Sequence, residues 1–194
     1  MPIENEQKFI LSLDVEEDIK NNCPLYFKIQ QGYLSANAVI RVTERMGGQM
    51  VYEFIYKQKT NTGTTFVTHN RITEDDFETL REEVKSVVIK TRYWLYTIKG
   101  AWEIDFLKND VGETYFALAE YKMPEWQESP EILPGMIQRH LLKTIDKDDV
   151  SFSDKRLSNE AYAVKKLKVI LNKKNTAVKK TKKKIRTIED VDKV

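Results

Sequence analysis

Residues 101–107 read Ala101-Trp102-Glu103-Ile104-Asp105-Phe106-Leu107, with Trp102, Ile104 and Phe106 alternating with Glu103 and Asp105. Successive side chains of a β-strand point to opposite faces, so this stretch predicts a strand with one aromatic-aliphatic face and one carboxylate face. The same alternation appears upstream and downstream. Glu4, Glu6 and Lys8 share a face, as do Arg41 and Arg45, Lys57 and Lys59, His69 and Arg71, Lys90 and Arg92, and Glu120 and Lys122. Ile40 and Val42, and Tyr52 and Tyr56, supply apolar opposite faces.

In any single strand this pattern is that of an ordinary antiparallel sheet with one wet face. Repeated over strands predicted near 3–13, 38–45, 50–59, 64–72, 87–97, 101–107 and 113–123, it implies more. A sheet of that many strands curls, and a concave charged face brings its lysines, arginines and carboxylates together. Converging cations call for a multiply charged anion, and converging carboxylates for a divalent metal. Turn signals at Gly47-Gly48, Asn61-Thr62-Gly63, Lys99-Gly100 and Asn109-Asp110-Val111-Gly112 make the connections hairpins.

Helices are predicted at three places. Thr73 stands three residues before Asp76, ahead of Phe77, Leu80 and Val84, a capped amphipathic pattern. A short helix is expected over 15–21, and after Pro130 the spacing of Ile132, Met136, Ile137 and Leu141, then of Leu157, Tyr162, Val164, Leu167 and Ile170, predicts a helical cover.

The 194 residues, 41% of them hydrophobic, suffice for one core. A single cysteine, Cys23, forms no internal disulfide, and two histidines do not suggest a zinc site. The N-terminus is acidic and no apolar run approaches the roughly 20 residues that span a bilayer, so a cytoplasmic protein without membrane contact is expected. The net charge of +2 conceals an asymmetry: residues 173–194 carry nine Lys/Arg and three Asp/Glu, a local +6, leaving −4 on the rest. The expected organisation is one domain over 1–171 and a basic, disordered tail over 172–194, whose lysines could hold RNA.

Several segments resemble, in order, the CYTH or triphosphate tunnel family, which includes thiamine triphosphatases, inorganic triphosphatases and class IV adenylyl cyclases. Ile3-Glu4-Asn5-Glu6-Gln7-Lys8-Phe9 resembles the family's ExExK opening. It is followed by Gln31-Gly32-Tyr33-Leu34-Ser35, Ile40-Arg41-Val42, Ile55-Tyr56-Lys57, Lys90-Thr91-Arg92-Tyr93, Trp102-Glu103-Ile104-Asp105, Ala119-Glu120 and Arg156-Leu157-Ser158-Asn159. The resemblance implies an α+β fold: a closed eight-stranded antiparallel barrel with a charged interior, covered by a few helices. It also implies a metal-dependent phosphohydrolase acting on inorganic, nucleoside or thiamine triphosphate. Arg41, Lys57, Lys90, Arg92 and Arg156 would then hold phosphate, with Lys8 beside the reacting end. Glu4, Glu6 and Glu120 would bind Mg²⁺ or Mn²⁺, while Glu103 and Asp105 support the metal or orient water.

The chain departs from the family where His69 and Arg71 replace an acidic pair, where Lys122 follows Glu120, and where Thr43 replaces a second arginine. Each change removes negative charge or adds positive charge, except that Thr43 removes a cation. The balance weakens metal binding and favours a bare polyanion, so a nucleotide- or polyphosphate-sensing or -sequestering protein is the alternative reading, and RNA 5′-triphosphate processing or recognition aided by the basic tail is a further one.

Overall fold

The computed structural model describes residues 5–59, 65–98, 100–124, 127, 130, 132–147 and 149–191, with side chains of the last helix described only as far as Thr176 and excluding residue 175. Nine antiparallel strands form one sheet: β1 (Glu6–Leu11), β2 (Tyr26–Tyr33), β3 (Ala38–Glu44), β4 (Met50–Lys59), β5 (Thr65–Arg71), β6 (Ser86–Thr97), β7 (Gly100–Lys108), β8 (Thr114–Lys122) and β9 (Leu141–Ile145). Their spatial order is β5-β4-β3-β2-β6-β7-β8-β1-β9. Five helices accompany them: α1 (Val15–Asn22), α2 (Glu74–Arg81), α3 (Gly135–His140), α4 (Asp154–Leu157) and α5 (Glu160–Val191).

The hairpin turns follow the sequence signals. In the β7–β8 turn, Gly112 takes φ +84°, a conformation costly for residues with a Cβ, while the Asn109 side chain accepts hydrogen bonds from the Val111 and Glu113 amides. Helix α2 starts as its sequence requires: the Asp76 amide donates to Thr73 Oγ1 at 3.1 Å and the Thr73 amide donates back to the Asp76 carboxylate. Gly32 lets the end of this helical segment lie on β2, because a Cβ there would stand 2.6 Å from Val84.

Three expectations are corrected. The sheet has nine strands, and among the described residues its end strands, β5 and β9, do not pair, so an eight-stranded closed barrel is not formed. Residue 141, read as helical, instead starts β9, which takes the outer edge of β1 through pairs such as Phe9 with Thr144; that edge is the one closure would need. Pairing with an available edge ends the helix at His140, so Met136 and Ile137 are helical as their spacing predicts and Leu141 is not. Strand β2, not assigned from its sequence, lies between β3 and β6 and joins the two halves of the sheet. Finally, α5 runs to Val191 through the stretch read as a disordered tail. Lysine is a good helix former and residues 160–191 contain neither Gly nor Pro, so composition that forbids a core does not forbid a helix. Among the described residues no helix is long and apolar enough to cross a membrane.

The concave face is divided along the strands. At one end Ile10, Val39, Ile55, Val67, Val88, Leu107, Phe116 and Leu118 form a core closed by Phe152, Leu157, Ala163 and Leu167 from the helical cover. Two residues further along each strand, the same face becomes charged. On the convex face, α1 and α3 cover Phe9, Trp102, Ile104 and Phe106, and α2 covers Ile40 and Val42 with Phe77. The Phe9–Trp102 ring pair, with centroids 5.4 Å apart, ties β1 to β7 across β8 and contributes about 0.5–1.5 kcal/mol beyond its buried area.

Candidate functional site

A cavity of about 510 Å³ opens over the charged end of the concave face. Its lining includes Glu6 and Lys8 (β1), Gln31 and Tyr33 (β2), Arg41 (β3), Lys57 (β4), His69 (β5), Lys90 and Arg92 (β6), Glu103 (β7), and Glu120 and Lys122 (β8). Helix α4 contributes Asp154, Lys155 and Arg156 from above. Eight Lys/Arg and four Asp/Glu therefore face one space. The strand period does this: along each strand the charged residues continue the face of a core residue, as Lys8 does two positions from Ile10, Arg41 from Val39 and Lys90 from Val88.

The two halves of the sheet treat these charges differently. Along β6-β7-β8-β1 every cation meets a carboxylate. Arg92 makes a bidentate contact with Asp105, at 2.6 and 2.7 Å, contacts Glu103, and approaches Glu120 at 3.4 Å. Lys90 donates to Asp105 at 2.6 Å. Lys8 lies 2.6 Å from Glu120 and 3.0 Å from Glu6, and Lys122 lies 2.8 Å from Glu103. Lys90 and Asp105 are 1% and 0% exposed, so this is a buried network, and Asp105 lies beneath the cavity floor. Burial alone would raise the Asp105 carboxyl, but Arg92 and Lys90 hold it at about 2. Burial opposes the Lys8 charge, yet Glu120 and Glu6 carry its ammonium well above the ordinary lysine value.

On the β2–β5 side and on α4, Arg41 and Lys155 meet neutral groups. Arg41 donates twice to the Gln31 side-chain carbonyl, at 3.1 and 2.8 Å, and Gln31 in turn donates to the Tyr33 hydroxyl at 2.6 Å. Lys155 donates to the Ser35 carbonyl at 3.3 Å. The Arg156 guanidinium bonds the Tyr162 hydroxyl, while Lys57 lines the β4 wall. Among the described residues, Arg41, Lys155 and Arg156 have no carboxylate within ion-pair distance. Arg41 and Arg92 are accordingly displaced in opposite directions. Burial and then the Arg92 charge lower Arg41, whereas Arg92, against the same burial, is raised by Asp105, Glu103 and Glu120. Arg41 remains charged, and its hydrogen bonds go to an amide oxygen instead of a carboxylate.

The structure thus brings Glu6, Lys8, Arg41, Lys57, Lys90, Arg92, Glu103, Glu120 and Arg156 to one cavity and puts Asp105 directly under it. Glu4 lies outside the described residues. Of the departures from the family pattern, Lys122 and His69 reach the cavity, His69 standing 3.4 Å from Glu53, whereas exposed Arg71 does not line it. Gln31, Asp154 and Lys155 were not singled out as site residues from sequence. Gln31 lies inside a quoted motif, and Asp154 and Lys155 directly precede Arg156, an acid and a base whose only sequence signal is that adjacency.

A divalent metal fits this set poorly. Among the described residues no group of three or more His, Cys, Asp or Glu side chains is arranged to hold a metal ion. Glu6 and Glu120 both face the cavity, but the Lys8 ammonium stands between them where a metal would have to be. Glu103 is taken by Arg92 and Lys122, and Asp105 by Arg92 and Lys90.

No protein-family model matches the sequence, and no curated protein does. Solved structures do resemble it. The hypothetical protein NE1496 is 18% identical, with 80% of this chain and 96% of that chain covered and a TM-score of 0.49. The PH1012 protein from Pyrococcus horikoshii OT3 is 14% identical, covering 64% and 80%, at 0.46. A "putative adenylate cyclase" from Bacillus halodurans is 14% identical, covering 65% and 82%, at 0.43. At these values the likeness is one of backbone course, and the chemistry of the site rests on the side chains described above.

Proposed function

We propose that this protein binds a triphosphate-bearing small molecule, inorganic triphosphate or a nucleoside triphosphate, in the concave cavity and without a bridging metal. The observation that carries the reading is the cation surplus of the β2–β5 side and α4. Arg41, Lys155 and Arg156 face the cavity with no carboxylate of the described residues at ion-pair distance, while the opposite half is neutralised from within. A phosphate chain gives these groups the charge-assisted hydrogen bonds that Gln31 and the Ser35 carbonyl supply only weakly. The cavity's volume lies in the range of small-molecule sites. The reading accords with the CYTH-like order of the sequence motifs.

Metal-dependent hydrolysis is the second reading. What favours it is that Glu6 and Glu120 reach the same cavity from adjacent strands. It requires both to give up Lys8. Titration calorimetry of tripolyphosphate and ATP, with EDTA or with excess Mg²⁺ or Mn²⁺, separates the two when phosphate release is followed in the same samples. Micromolar binding that EDTA leaves unchanged, without product, supports metal-free binding. Turnover that needs the metal and is lost in Glu6→Ala replaces it with hydrolysis, and absence of any binding overturns both.

A further inference from the structure

Among the described residues, Asp154 is the one carboxylate lining the cavity that does not come from the sheet. It hangs from α4, a single helical turn anchored by buried Leu157, and reaches Lys90 on β6 with a 2.6 Å contact from one oxygen. The other oxygen is buried and, among the described residues, has no hydrogen-bond partner. A carboxylate oxygen shut away from water without a donor is costly, so something in the site keeps it there.

What keeps it is positive charge from β6 and β1. Lys90 and then Lys8, with Arg92 behind them, hold the Asp154 carboxyl far below its ordinary value against the burial that would raise it. The same carboxylate acts on Arg41, favouring its charged form. Asp154 thus occupies the place where the two halves of the site meet and where cations of β1, β3 and β6 converge. Asp105 makes a useful contrast, because it is fixed on a central strand, is fully buried, and uses both oxygens on Lys90 and Arg92. Lys90 therefore keeps a counter-ion when Asp154 leaves.

We propose that Asp154 is a built-in surrogate for a phosphoryl group, a displaceable anion that fills the cavity until a polyphosphate takes its contact with Lys90. This deepens the function proposed above and rests on it. A group that must leave for the ligand to enter lowers apparent affinity by the free energy of its own contacts, and it sets a threshold: anions too weakly charged to displace it are excluded. Because Asp154 adjoins Lys155 and Arg156 on the same turn, its release also frees that turn to bring both cations onto the ligand.

The test is titration calorimetry of tripolyphosphate and of inorganic phosphate, in EDTA, on the full chain and on Asp154→Asn and Asp154→Ser. Both variants are expected to bind tripolyphosphate about tenfold more tightly or better, and to gain measurable affinity for phosphate. The second variant covers the case in which Asn is not accommodated. Unchanged or weaker tripolyphosphate binding by a folded variant, with wild-type binding intact, overturns the proposal and leaves Asp154 a structural counter-ion. Binding by the variants but not by the wild type supports it in its strongest form. Failure of all three proteins to bind overturns the polyphosphate reading, and this proposal with it.

Discussion

The two halves of the sheet carry similar numbers of cations toward the same cavity, yet they do opposite things with them. In β6-β7-β8-β1, Lys8, Lys90, Arg92 and Lys122 are matched by Glu6, Glu103, Asp105 and Glu120. In β2–β5 and α4, Arg41 and Lys155 lean on an amide and a carbonyl. Buried matched charge is expensive to assemble and costly to break, so the first half is a structural element that happens to be ionic. In the second half Arg41, Lys155 and Arg156 make no ion pair among the described residues, and such charge is what a polyanion recognises.

Breaking one partner in each half sharpens this division. The largest effect is expected from Asp105→Ala, which leaves Lys90 and Arg92 facing each other with less negative charge in a dry site. Loss of about 3–5 kcal/mol of folding stability is expected in denaturant titrations. A loss below about 1 kcal/mol would mean that the network contributes little to the fold.

Arg41→Ala addresses the other half. It should lower tripolyphosphate affinity by roughly 10- to 100-fold, the equivalent of losing charge-assisted hydrogen bonds, and change stability by less than about 1 kcal/mol. Similar losses in stability from the two substitutions would erase the distinction between the halves.

A pH titration gives a smaller effect. Asp105 is held at about 2 in the folded protein against an ordinary 3.8, so its stabilising contribution is complete above the ordinary value and disappears as pH falls toward about 2. Thermal melts should show an acid limb in that window, and in Asp105→Asn the limb should flatten. The slightest effect concerns Lys122, whose side chain is 57% exposed: Lys122→Ala should shift stability by under about 1 kcal/mol.

Period-two alternation made the charged face legible, and it placed Lys8, Arg41, Lys57, Lys90, Arg92, Glu103 and Glu120 toward one interior before any fold was seen. Alternation describes a strand and its faces, but it does not describe edges. Whether the sheet closes depends on which strand reaches β1, and β9 was hidden because Leu141 also fits a helical spacing. For the same reason the periodicity could not say which cations are neutralised. Lys90 and Arg41 look alike in sequence, and register alone does not separate them, since it sets Arg92 opposite Asp105 and Arg41 opposite Glu53; the side-chain contacts do, with Arg41 on Gln31 and Glu53 beside His69. Asp154 was illegible on both counts, since it lies on a helical turn and its partner is 64 residues away.

An unclosed sheet has a consequence for behaviour in a crowded solution. Strand β5 ends the sheet, and a bare strand edge invites pairing with another molecule. Its last three residues, His69, Asn70 and Arg71, are all exposed, and Arg71 carries the same charge on every copy. Arg71, which does not line the cavity, therefore acts away from it, as a colloidal safeguard against edge-to-edge polymerisation.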